Sequence, residues 1–334
     1  MPHHPNRFLV HFPMQVAISV ALLLTCDLAL SAPAPALYGI QVGGKHGFID
    51  KRGVVVIRPT YDDAGAFREG LASVKIGGRW GYINAQGRLV IPATFASTWS
   101  FSQGLAPVNT GSRWGYIDRT GKVVIPASFV FAYPFAEGLA GVAGPDLKWG
   151  YINKAGKLII PAQWEGHSPG ELSEGRILVQ KGKKYGFLDV TGRLVIPLRF
   201  EKAGHFLGGL SYAREGDKVG FIDRAGNWVI RPQYKSGYWF REGLAPVEID
   251  GKWGFIDKRG RVVIPLQFQN ASGFYEGFAN VRQGGEWFFI TRNGKRAFGP
   301  SFKGSGMFVG GIARVTSGLD VRYIDRRGRV LWPK

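Results

Sequence analysis

A unit of about 34 residues occurs nine times in this 334-residue chain, and this repetition constrains the fold more than any other feature. The clearest copy is Lys252–Pro265, which reads KWGFIDKRGRVVIP. The glycine of its Trp-Gly pair occupies a position that recurs every 34 to 36 residues, at Gly47, Gly81, Gly115, Gly150, Gly186, Gly220, Gly254, Phe288 and Arg322. A fixed period in this range is typical of solenoids, propellers and other arrays. Such a chain builds an extended surface from equivalent units rather than one pocket around a catalytic group.

Each unit has the pattern of three short strands joined by tight turns. In the clearest copy the predicted strands are Leu244–Ile249, Trp253–Ile256 and Val262–Ile264. Asp250-Gly251 is a hairpin dipeptide, and Asp257–Gly260 fits a type I turn with Asp first and Gly last. Pro265 is expected to end the third strand, because proline cannot donate to the ladder.

The strands are apolar on both sides, which predicts stacked sheets. Phe255 and Ile256 are adjacent and point to opposite faces of their strand, so both faces must be covered. The chain starts at a first strand, ends after a third and shows no unit split between its termini, whereas propeller blades usually have four strands. We therefore predict an all-β tandem array over residues 37–334, with nine three-stranded units in an open solenoid. A closed β-propeller is the alternative.

The N-terminus has the features of an export signal over residues 1–32, followed by a linker over residues 33–36. Arg7 gives a weakly positive start, Val16–Leu24 is apolar, and small residues lead to a cleavage point near Ala32. The apolar run is short for a membrane span, so an uncleaved anchor is the second interpretation. We expect a periplasmic or secreted protein with no integral membrane domain after cleavage.

Cys26 is the only cysteine and lies within this N-terminal segment. The stretch Leu23–Cys26 resembles a bacterial lipoprotein box, although Thr25 is a poor residue before a modified cysteine, and a lipid anchor is therefore an alternative. Cleavage near Ala32 leaves a mature chain with no disulfide, thiol nucleophile or cysteine metal site.

The chain is strongly basic. Its 43 Lys and Arg residues against 24 Asp and Glu residues give a net charge of +19. Removal of residues 1–32 takes away Arg7 and Asp27, one charge of each sign, and leaves this excess unchanged. Such a charge favours anionic partners, which for an exported protein are an anionic polymer or the cell-envelope surface. An intracellular nucleic-acid partner would require the export prediction to be wrong.

Basic residues recur in three columns of seven. Column 1 stands two residues before the strand glycine, at Lys45, Arg79, Arg113, Lys148, Lys184, Lys218 and Lys252. Column 2 follows the first residue of the Asp turn, at Lys51, Arg119, Lys154, Arg224, Lys258, Arg292 and Arg326. Column 3 follows the turn glycine, at Arg88, Lys122, Lys157, Arg193, Arg261, Lys295 and Arg329. Stacking would align each column into a stripe that binds acidic surfaces, but a solvated rim that prevents edge-to-edge aggregation explains the same pattern.

The aromatic residues divide into core and surface candidates. We expect the motif tryptophans to be core residues, because Val219 replaces one of them and can pack but cannot stack on a ligand. Trp99 and Trp239 lie outside the motif position and are the better candidates for a binding surface.

Catalytic and metal-binding patterns are weak. Gly166–Gly170 matches the hydrolase pattern G-x-S-x-G with Ser168, but that chemistry requires a strand–turn–helix, and Pro169 lies inside the segment. The histidines after residue 36 are scattered and lack metal-ligand spacing, at His46, His167 and His205. The turn aspartates are better used in closing their own turns than in binding calcium, since Asn84 and Asn153 replace two of them. We predict no cofactor and no metal.

Taken together, these residues resemble the WG-repeat family, bacterial proteins whose units read approximately KWGFIDKxGxxVIPxxF…FxEGLAxV. The resemblance covers roughly residues 36–334, and the Trp-Gly pair is intact at Trp80, Trp114, Trp149 and Trp253. Other units depart from it, with His46, Tyr185 or Val219 before the glycine, Phe288 after Trp287, and Val321-Arg322 in the last unit. The resemblance implies a binding or scaffolding role at or outside the bacterial membrane, without a catalytic centre.

Our leading hypothesis is an exported, non-enzymatic repeat protein. It would bind an anionic polymer, the envelope surface or a partner protein along its basic face. The second hypothesis is a protein–protein interaction scaffold in which charge only aids solubility. The third is a hydrolase that uses Ser168.

Overall fold

A computed structural model describes residues 36–165, 172–318 and 320–333 of the chain. These residues form strands and turns without a helix, arranged as nine small antiparallel sheets that follow one another in chain order. Within each sheet the strands are adjacent in the order in which they occur in the sequence. The repeat is therefore also the structural unit.

The strands of the first five sheets have the following bounds. Sheet 1 contains β1 (Tyr38–Val42), β2 (Lys45–Ile49) and β3 (Val55–Tyr61). Sheet 2 contains β4 (Asp63–Ala64), β5 (Leu71–Ile76), β6 (Arg79–Asn84) and β7 (Leu89–Phe95). Sheet 3 contains β8 (Ser97–Thr98), β9 (Leu105–Asn109), β10 (Trp114–Asp118) and β11 (Val123–Phe129). Sheet 4 contains β12 (Phe131–Ala132), β13 (Leu139–Ala143), β14 (Trp149–Asn153) and β15 (Leu158–Trp164). Sheet 5 contains β16 (Leu172–Ser173), β17 (Arg176–Lys181), β18 (Lys184–Leu188) and β19 (Leu194–Phe200).

The remaining four sheets repeat this plan with two departures. Sheet 6 contains β20 (Lys202–Ala203), β21 (Ser211–Glu215), β22 (Lys218–Ile222) and β23 (Trp228–Tyr234). Sheet 7 contains β24 (Ser236–Gly237), β25 (Leu244–Ile249), β26 (Lys252–Asp257) and β27 (Val262–Phe268). Sheet 8 has only β28 (Asn270–Ala271), β29 (Phe278–Gln283) and β30 (Glu286–Thr291). Sheet 9 contains β31 (Gly304–Val309), β32 (Ile312–Ser317), β33 (Asp320–Asp325) and β34 (Val330–Trp332), and its first strand is longer than its counterparts.

Two details of the predicted unit are wrong. Seven of the nine sheets in the described chain have four strands rather than three, because two residues of the connection, such as Ser236–Gly237, pair with the next strand. Pro265 also does not end its strand, since β27 continues to Phe268. Between the pairs Phe255↔Ile264 and Trp253↔Phe268, three residues of β27 face one residue of β26, so the proline lies in a bulge where no ladder donor is required.

This bulge explains the glycine of the Trp-Gly pair. A Cβ atom on Gly254 would lie 2.6 Å from the Ile264 carbonyl oxygen and 2.7 Å from the Leu266 nitrogen, because the bulged strand passes directly over it. Only glycine fits such a close backbone approach. Sheet 8 has no such strand and sheet 9 ends at β34, so Phe288 and Arg322 can occupy the same position there.

The array closes on itself, and the predicted open solenoid is wrong. The turn glycines of sheets 2–8 pack on the outermost strand of the preceding sheet, as Gly87 does on Ile57, and Gly53 of sheet 1 meets Leu331 of sheet 9 in the same way. Around this junction Ile40, Ile49, Ile312 and Tyr323 form one buried cluster. The nine sheets of the described chain thus form a ring, the nine-bladed β-propeller that was the alternative prediction, and we call them blades.

Two tyrosine hydroxyls also cross the closing junction. The Tyr38 hydroxyl donates to the Gly310 carbonyl oxygen at 2.6 Å, and the Tyr323 hydroxyl donates to the Gly39 carbonyl oxygen. Closure requires no blade shared between the termini, because blade 1 and blade 9 meet face to face like any other neighbours.

The core lies between the blades and is rich in aromatic rings. Tyr116 of blade 3 packs at 5.0 Å from Phe135 of blade 4, and Phe255 of blade 7 packs at 5.0 Å from Phe274 of blade 8. Burial raises the pKa of Tyr116, whose hydroxyl donates to the Tyr133 carbonyl oxygen at 2.9 Å. These equivalent ring pairs hold successive blades in a constant orientation.

Candidate functional site

The three basic columns lie on two opposite faces of the ring. In blade 7, Lys252 begins β26 and Asp257 ends it, a separation of about 17 Å at the usual rise per strand residue. Column 1 therefore lies on the face that carries the first hairpin loops, which we call the hairpin face. Columns 2 and 3 flank the Asp turns on the other side, which we call the turn face. The ring does not present one continuous basic surface.

Column 1 is partly neutralised by neighbouring carboxylates. Lys45 binds Asp62 at 2.6 Å and Lys184 binds Glu201 at 2.7 Å, and in each pair the lysine hydrogen bond lowers the pKa of the acid. Arg113 is half-buried. The four remaining members of column 1 make no ion pair with a described residue; they are Arg79, Lys148, Lys218 and Lys252.

Every residue of column 3 is exposed. Ion pairs form only where a column 3 arginine follows an Asp that begins the same turn. Arg193, Arg261 and Arg329 each bind the turn aspartate four residues earlier, with the closest contacts between 2.7 and 3.3 Å. Arg88, Lys122, Lys157 and Lys295 make no ion pair within the described part of the chain. Column 2 is also exposed, and Arg326 donates to the Glu276 carbonyl oxygen at 3.0 Å.

The turn aspartates close their own turns. The Asp257 carboxylate accepts from the Arg259 and Arg261 backbone nitrogens at 2.9 and 3.0 Å, and Asn84 makes the same pair of bonds in blade 2. At Asp189 the hydroxyl of Thr191 donates at 2.6 Å and, with backbone donors, lowers the aspartate pKa to about 2. No group of three or more metal-ligating side chains occurs in the described residues.

The motif tryptophans occupy equivalent places, but their burial varies. Trp253 and Trp149 are buried, whereas Trp80 and Trp114 are half-buried, and each pairs with the aromatic residue at the end of the outermost strand. Val219 occupies the same position and is also buried. The position is therefore a packing position rather than a ladder of exposed rings.

Trp99 lies two residues before the buried Phe101 of blade 3, and Trp239 lies directly before the buried Phe240 of blade 7. Trp99 is 45% exposed and stacks on Tyr133 at 5.5 Å. Trp239 is half-buried and stacks on His205 at 4.7 Å. Of the two candidates, only Trp99 presents a largely accessible ring.

A set of turns that the sequence analysis did not single out joins the blades. In blades 2–9 a two-residue turn lies just before the second strand, and we call it the inner turn. Its first residue has positive φ and is Glu69, Gln103, Glu137, Glu174, Gly208, Glu242, Glu276 or Gly310. Its second residue is glycine in every case, also with positive φ, as two-residue hairpins require.

The inner-turn side chains bind the inner turn of the next blade. The two carboxylate oxygens of Glu137 accept from the backbone nitrogens of Glu174 and Gly175 at 2.8 and 2.9 Å, and Glu174 binds Gly208 and Gly209 in the same way. Inner turns of three successive blades, at Gly208, Glu242 and Glu276, also line one cavity of about 440 Å³. Since neighbouring blades converge towards the axis of a ring, we place these turns at its inner rim.

The family model for the WG containing repeat matches residues 47–80, 80–114, 114–143, 149–185, 185–218, 220–253 and 253–287, well over half of the chain. The chain belongs to the WG-repeat family. The resemblance stated from the sequence is thereby confirmed. Comparison of the sequence with curated proteins found no match.

Several solved structures are similar to this WG-repeat protein at low sequence identity. A eukaryotic initiation factor superposes with a TM-score of 0.59 at 9% identity, covering 89% of this chain and 95% of the other. BamB from Moraxella catarrhalis gives 0.47 at 12% identity, covering 79% and 90%. The extracellular domain of a protein assigned as a one-component system of B. thetaiotaomicron gives 0.40 at 11% identity, covering 87% and 50%. At these identities the likeness concerns the fold alone.

The outermost strands of the WG units expose adjacent aliphatic side chains, a second feature that the sequence analysis missed. Val123 and Val124 are 58% and 42% exposed, and Val262 and Val263 are 54% and 45% exposed. We call the whole set the aliphatic belt, which comprises Val55, Val56, Leu89, Val90, Val123, Val124, Leu158, Leu194, Val229, Val262, Val263 and Val330. Its signal in the first seven units is the apolar pair that lies two residues after the turn glycine and directly before a buried isoleucine.

Three sequence predictions concern residues beyond those described. Cys26, the signal segment over residues 1–32 and Ser168 all lie outside them. Within the described ranges, no helix has the length and apolar character needed to cross a membrane.

Proposed function

We propose that this WG-repeat protein is a non-enzymatic interaction scaffold that binds a partner protein on the aliphatic belt. The observation that carries the proposal is the repeated exposure of paired aliphatic side chains on the outermost strands, such as Val123–Val124 and Val262–Val263. Exposed apolar side chains that are grouped, rather than scattered singly, mark interaction sites in soluble proteins.

The architecture supports a binding role of this kind. The fold places equivalent units around a closed ring, so that a partner meets the same chemistry at several adjacent blades. Prolines and bulges in the outermost strands, as at Pro265, hinder edge-to-edge pairing with other sheets, which leaves the belt available to side-chain contacts.

Capture from an envelope extract of the native organism tests the proposal. The belt variant carries Val124→Asp, Val229→Asp and Val263→Asp, and we expect about tenfold weaker retention of the partner, equivalent to about 1.4 kcal/mol. The control variant carries Ile76→Asp and Ile249→Asp, which are exposed aliphatic residues of the hairpin face. Equal retention by both variants would contradict a belt-mediated interaction.

A second candidate function is binding to an anionic polymer or the envelope surface through the turn face. Columns 2 and 3 lie together on this face, and the chain carries a net charge of +19. Charge reversal at Lys122, Lys157 and Arg193 should weaken binding to anionic vesicles, and added salt should weaken it further. The matched control reverses Lys148, Lys218 and Lys252 on the hairpin face. Binding that is undiminished and insensitive to salt would exclude the electrostatic candidate.

We further propose that the protein is exported, on the basis of Arg7, the apolar run Val16–Leu24 and the small residues before Ala32. Mass spectrometry of the mature N-terminus tests this. A first residue just after Ala32 supports cleavage by a signal peptidase, whereas a lipidated Cys26 supports the anchored alternative. An intact Met1 in the purified native protein would contradict both.

A further inference from the structure

The inner-rim junction between blades 6 and 7 lacks the side-chain acceptor that bridges six other junctions, and Gly310 of blade 9 likewise has no side chain to reach across. Six junctions between successive blades are bridged by the side chain of Glu69, Gln103, Glu137, Glu174, Glu242 or Glu276. Between blades 6 and 7 the equivalent residue is Gly208, which has no side chain to reach across. Within the described chain, no group accepts a hydrogen bond from the backbone nitrogens of Glu242 and Gly243.

The donors at this junction have the same geometry as those that bind carboxylates elsewhere. Glu242 and Gly243 have φ values of 49° and 83°, and Glu174 and Gly175, which hold the Glu137 carboxylate, have 53° and 73°. Consecutive backbone N–H groups in such a turn converge on one anion. The chain therefore contains a preformed site for a carboxylate that it does not itself supply.

Cations surround this site. The Lys258 Nζ atom lies 3.7 Å from the point where the Cβ atom of a residue at position 208 would be, and one Arg292 guanidinium nitrogen lies 3.6 Å from the corresponding point on Gly243. Neither side chain makes an ion pair with a described residue. Both belong to column 2, so the basic column and the unfilled site meet at one place.

The site opens into the cavity of about 440 Å³ at the inner rim. Gly208, Arg241, Glu242 and Glu276 contribute to its lining. Both glutamates are already engaged, since Glu242 accepts from Gly277 and Glu276 accepts from Gly311. These carboxylates keep their negative charge, but Arg241, Lys258 and Arg292 outnumber them, so the net charge around the site is positive.

We propose that the inner rim between blades 6 and 7 binds the carboxylate of an external ligand. The Glu242 and Gly243 nitrogens would donate to its two oxygens, while Lys258 and Arg292 balance its charge. The carboxylate belongs either to a free small molecule or to an acidic side chain of a peptide segment that enters the cavity. This inference does not depend on the aliphatic belt, which lies on the outermost strands.

Titration with sodium glutarate, whose end mimics a glutamate side chain, tests the site. We expect the backbone amide resonance of Gly243 to shift in a saturable manner, and the melting temperature to rise more than in sodium chloride of equal ionic strength. Lys258→Gln should weaken both effects. An acetylated and amidated Gly-Glu-Gly peptide forms the second arm. Tighter binding of the peptide than of glutarate assigns the ligand to a protein segment, and equal or weaker binding assigns it to a small carboxylate.

Gly208→Glu provides the decisive variant, because it supplies the missing carboxylate from within the chain. A Cβ atom at position 208 meets no atom closer than 3.4 Å, and glutamate already occupies this turn position in five other blades. We expect Gly208→Glu to melt at a higher temperature than the wild type and to lose the glutarate response. Gly208→Ala, the control, should keep that response. A Gly243 resonance that does not move, or that moves equally in wild type and Gly208→Glu, would overturn the proposal.

Discussion

At the scale of single residues, much of this propeller follows from positions where one residue type alone is compatible with the backbone. The glycine of the Trp-Gly pair is such a position, because the bulged outermost strand crosses it within 3 Å of where a Cβ atom would be. The sequence shows the glycine and its period but not its reason, since the crossing strand is ten residues further along the chain. The role of the proline was misjudged for the same reason.

Gly254→Ala should therefore destabilise the protein. The added methyl group would meet backbone atoms of Ile264 and Leu266, which cannot rotate away, and overpacking of this kind costs about 1–3 kcal/mol. Urea denaturation measures the loss. Gly299→Ala is the control, since nothing lies within 4 Å of its added methyl group. Equal midpoints for the two variants would contradict the proposed close approach.

Asp189 should make stability depend on pH. The Thr191 hydroxyl and backbone donors lower its pKa from 3.8 to about 2 in the folded state, so folding is favoured by the ionised form. This contribution is present above pH 3.8 and is lost as the pH falls towards 2. Asp189→Asn introduces the residue found at Asn84 and Asn153. Its melting temperature should be lower than that of the wild type at pH 7 and equal to it at pH 2. A difference that is the same at both pH values would exclude this linkage.

At the scale of strands and turns, the sequence predicts the long strands and misses the short ones. Leu244–Ile249 was predicted with its observed bounds, because its apolar pattern and flanking turns are local features. Ser236–Gly237 has neither an apolar pattern nor length, and it is a strand only because β25 lies beside it. The inner turns were overlooked for a similar reason. Their Glu-Gly sequence is visible, but the acceptor role of the glutamate depends on a neighbour about 35 residues away.

Glu137→Ala should loosen the junction between blades 4 and 5. The variant leaves the backbone nitrogens of Glu174 and Gly175 without their carboxylate, and we expect a loss of about 1 kcal/mol because the site is open to water. Hydrogen exchange at the Gly175 amide should accelerate at the same time. Glu215→Ala serves as the control, because the exposed Glu215 side chain makes no hydrogen bond to a described residue. Unchanged exchange at Gly175 would argue against the bridge.

At the scale of the whole molecule, closure is the property that the sequence could not provide. Each unit encodes its own sheet, but the curvature of the array is the sum of small rotations between blades that no single motif determines. The contact of Gly53 with Leu331 joins residues nearly a full chain apart. The basic columns are visible in the sequence, but their division between two faces is not, because it depends on the antiparallel path of the strands, which separates column 1 from columns 2 and 3.

Closure makes the first blade as well packed as an internal one. Ile49 packs against blade 9 and Ile83 packs against blade 1, and both are fully buried at equivalent positions. Ile49→Ala and Ile83→Ala should therefore cost similar amounts, each about 2–5 kcal/mol. Both variants should unfold in a single transition. A much smaller loss for Ile49→Ala, or early melting of blade 1 alone, would indicate an open array.

The inner-rim bridges give the ring a sense of rotation. Every bridging side chain of an inner turn reaches forward along the sequence to the following blade, and within the described chain no inner-turn side chain reaches back. A bridging repeat thus supplies both the acceptor side chain that binds the following blade and the backbone nitrogens that bind the side chain of the preceding blade. Recombination that adds or removes one entire bridging repeat leaves each remaining inner-turn side chain opposite a turn that can bind it. We therefore expect genes of this kind to change their blade number by whole repeats during evolution.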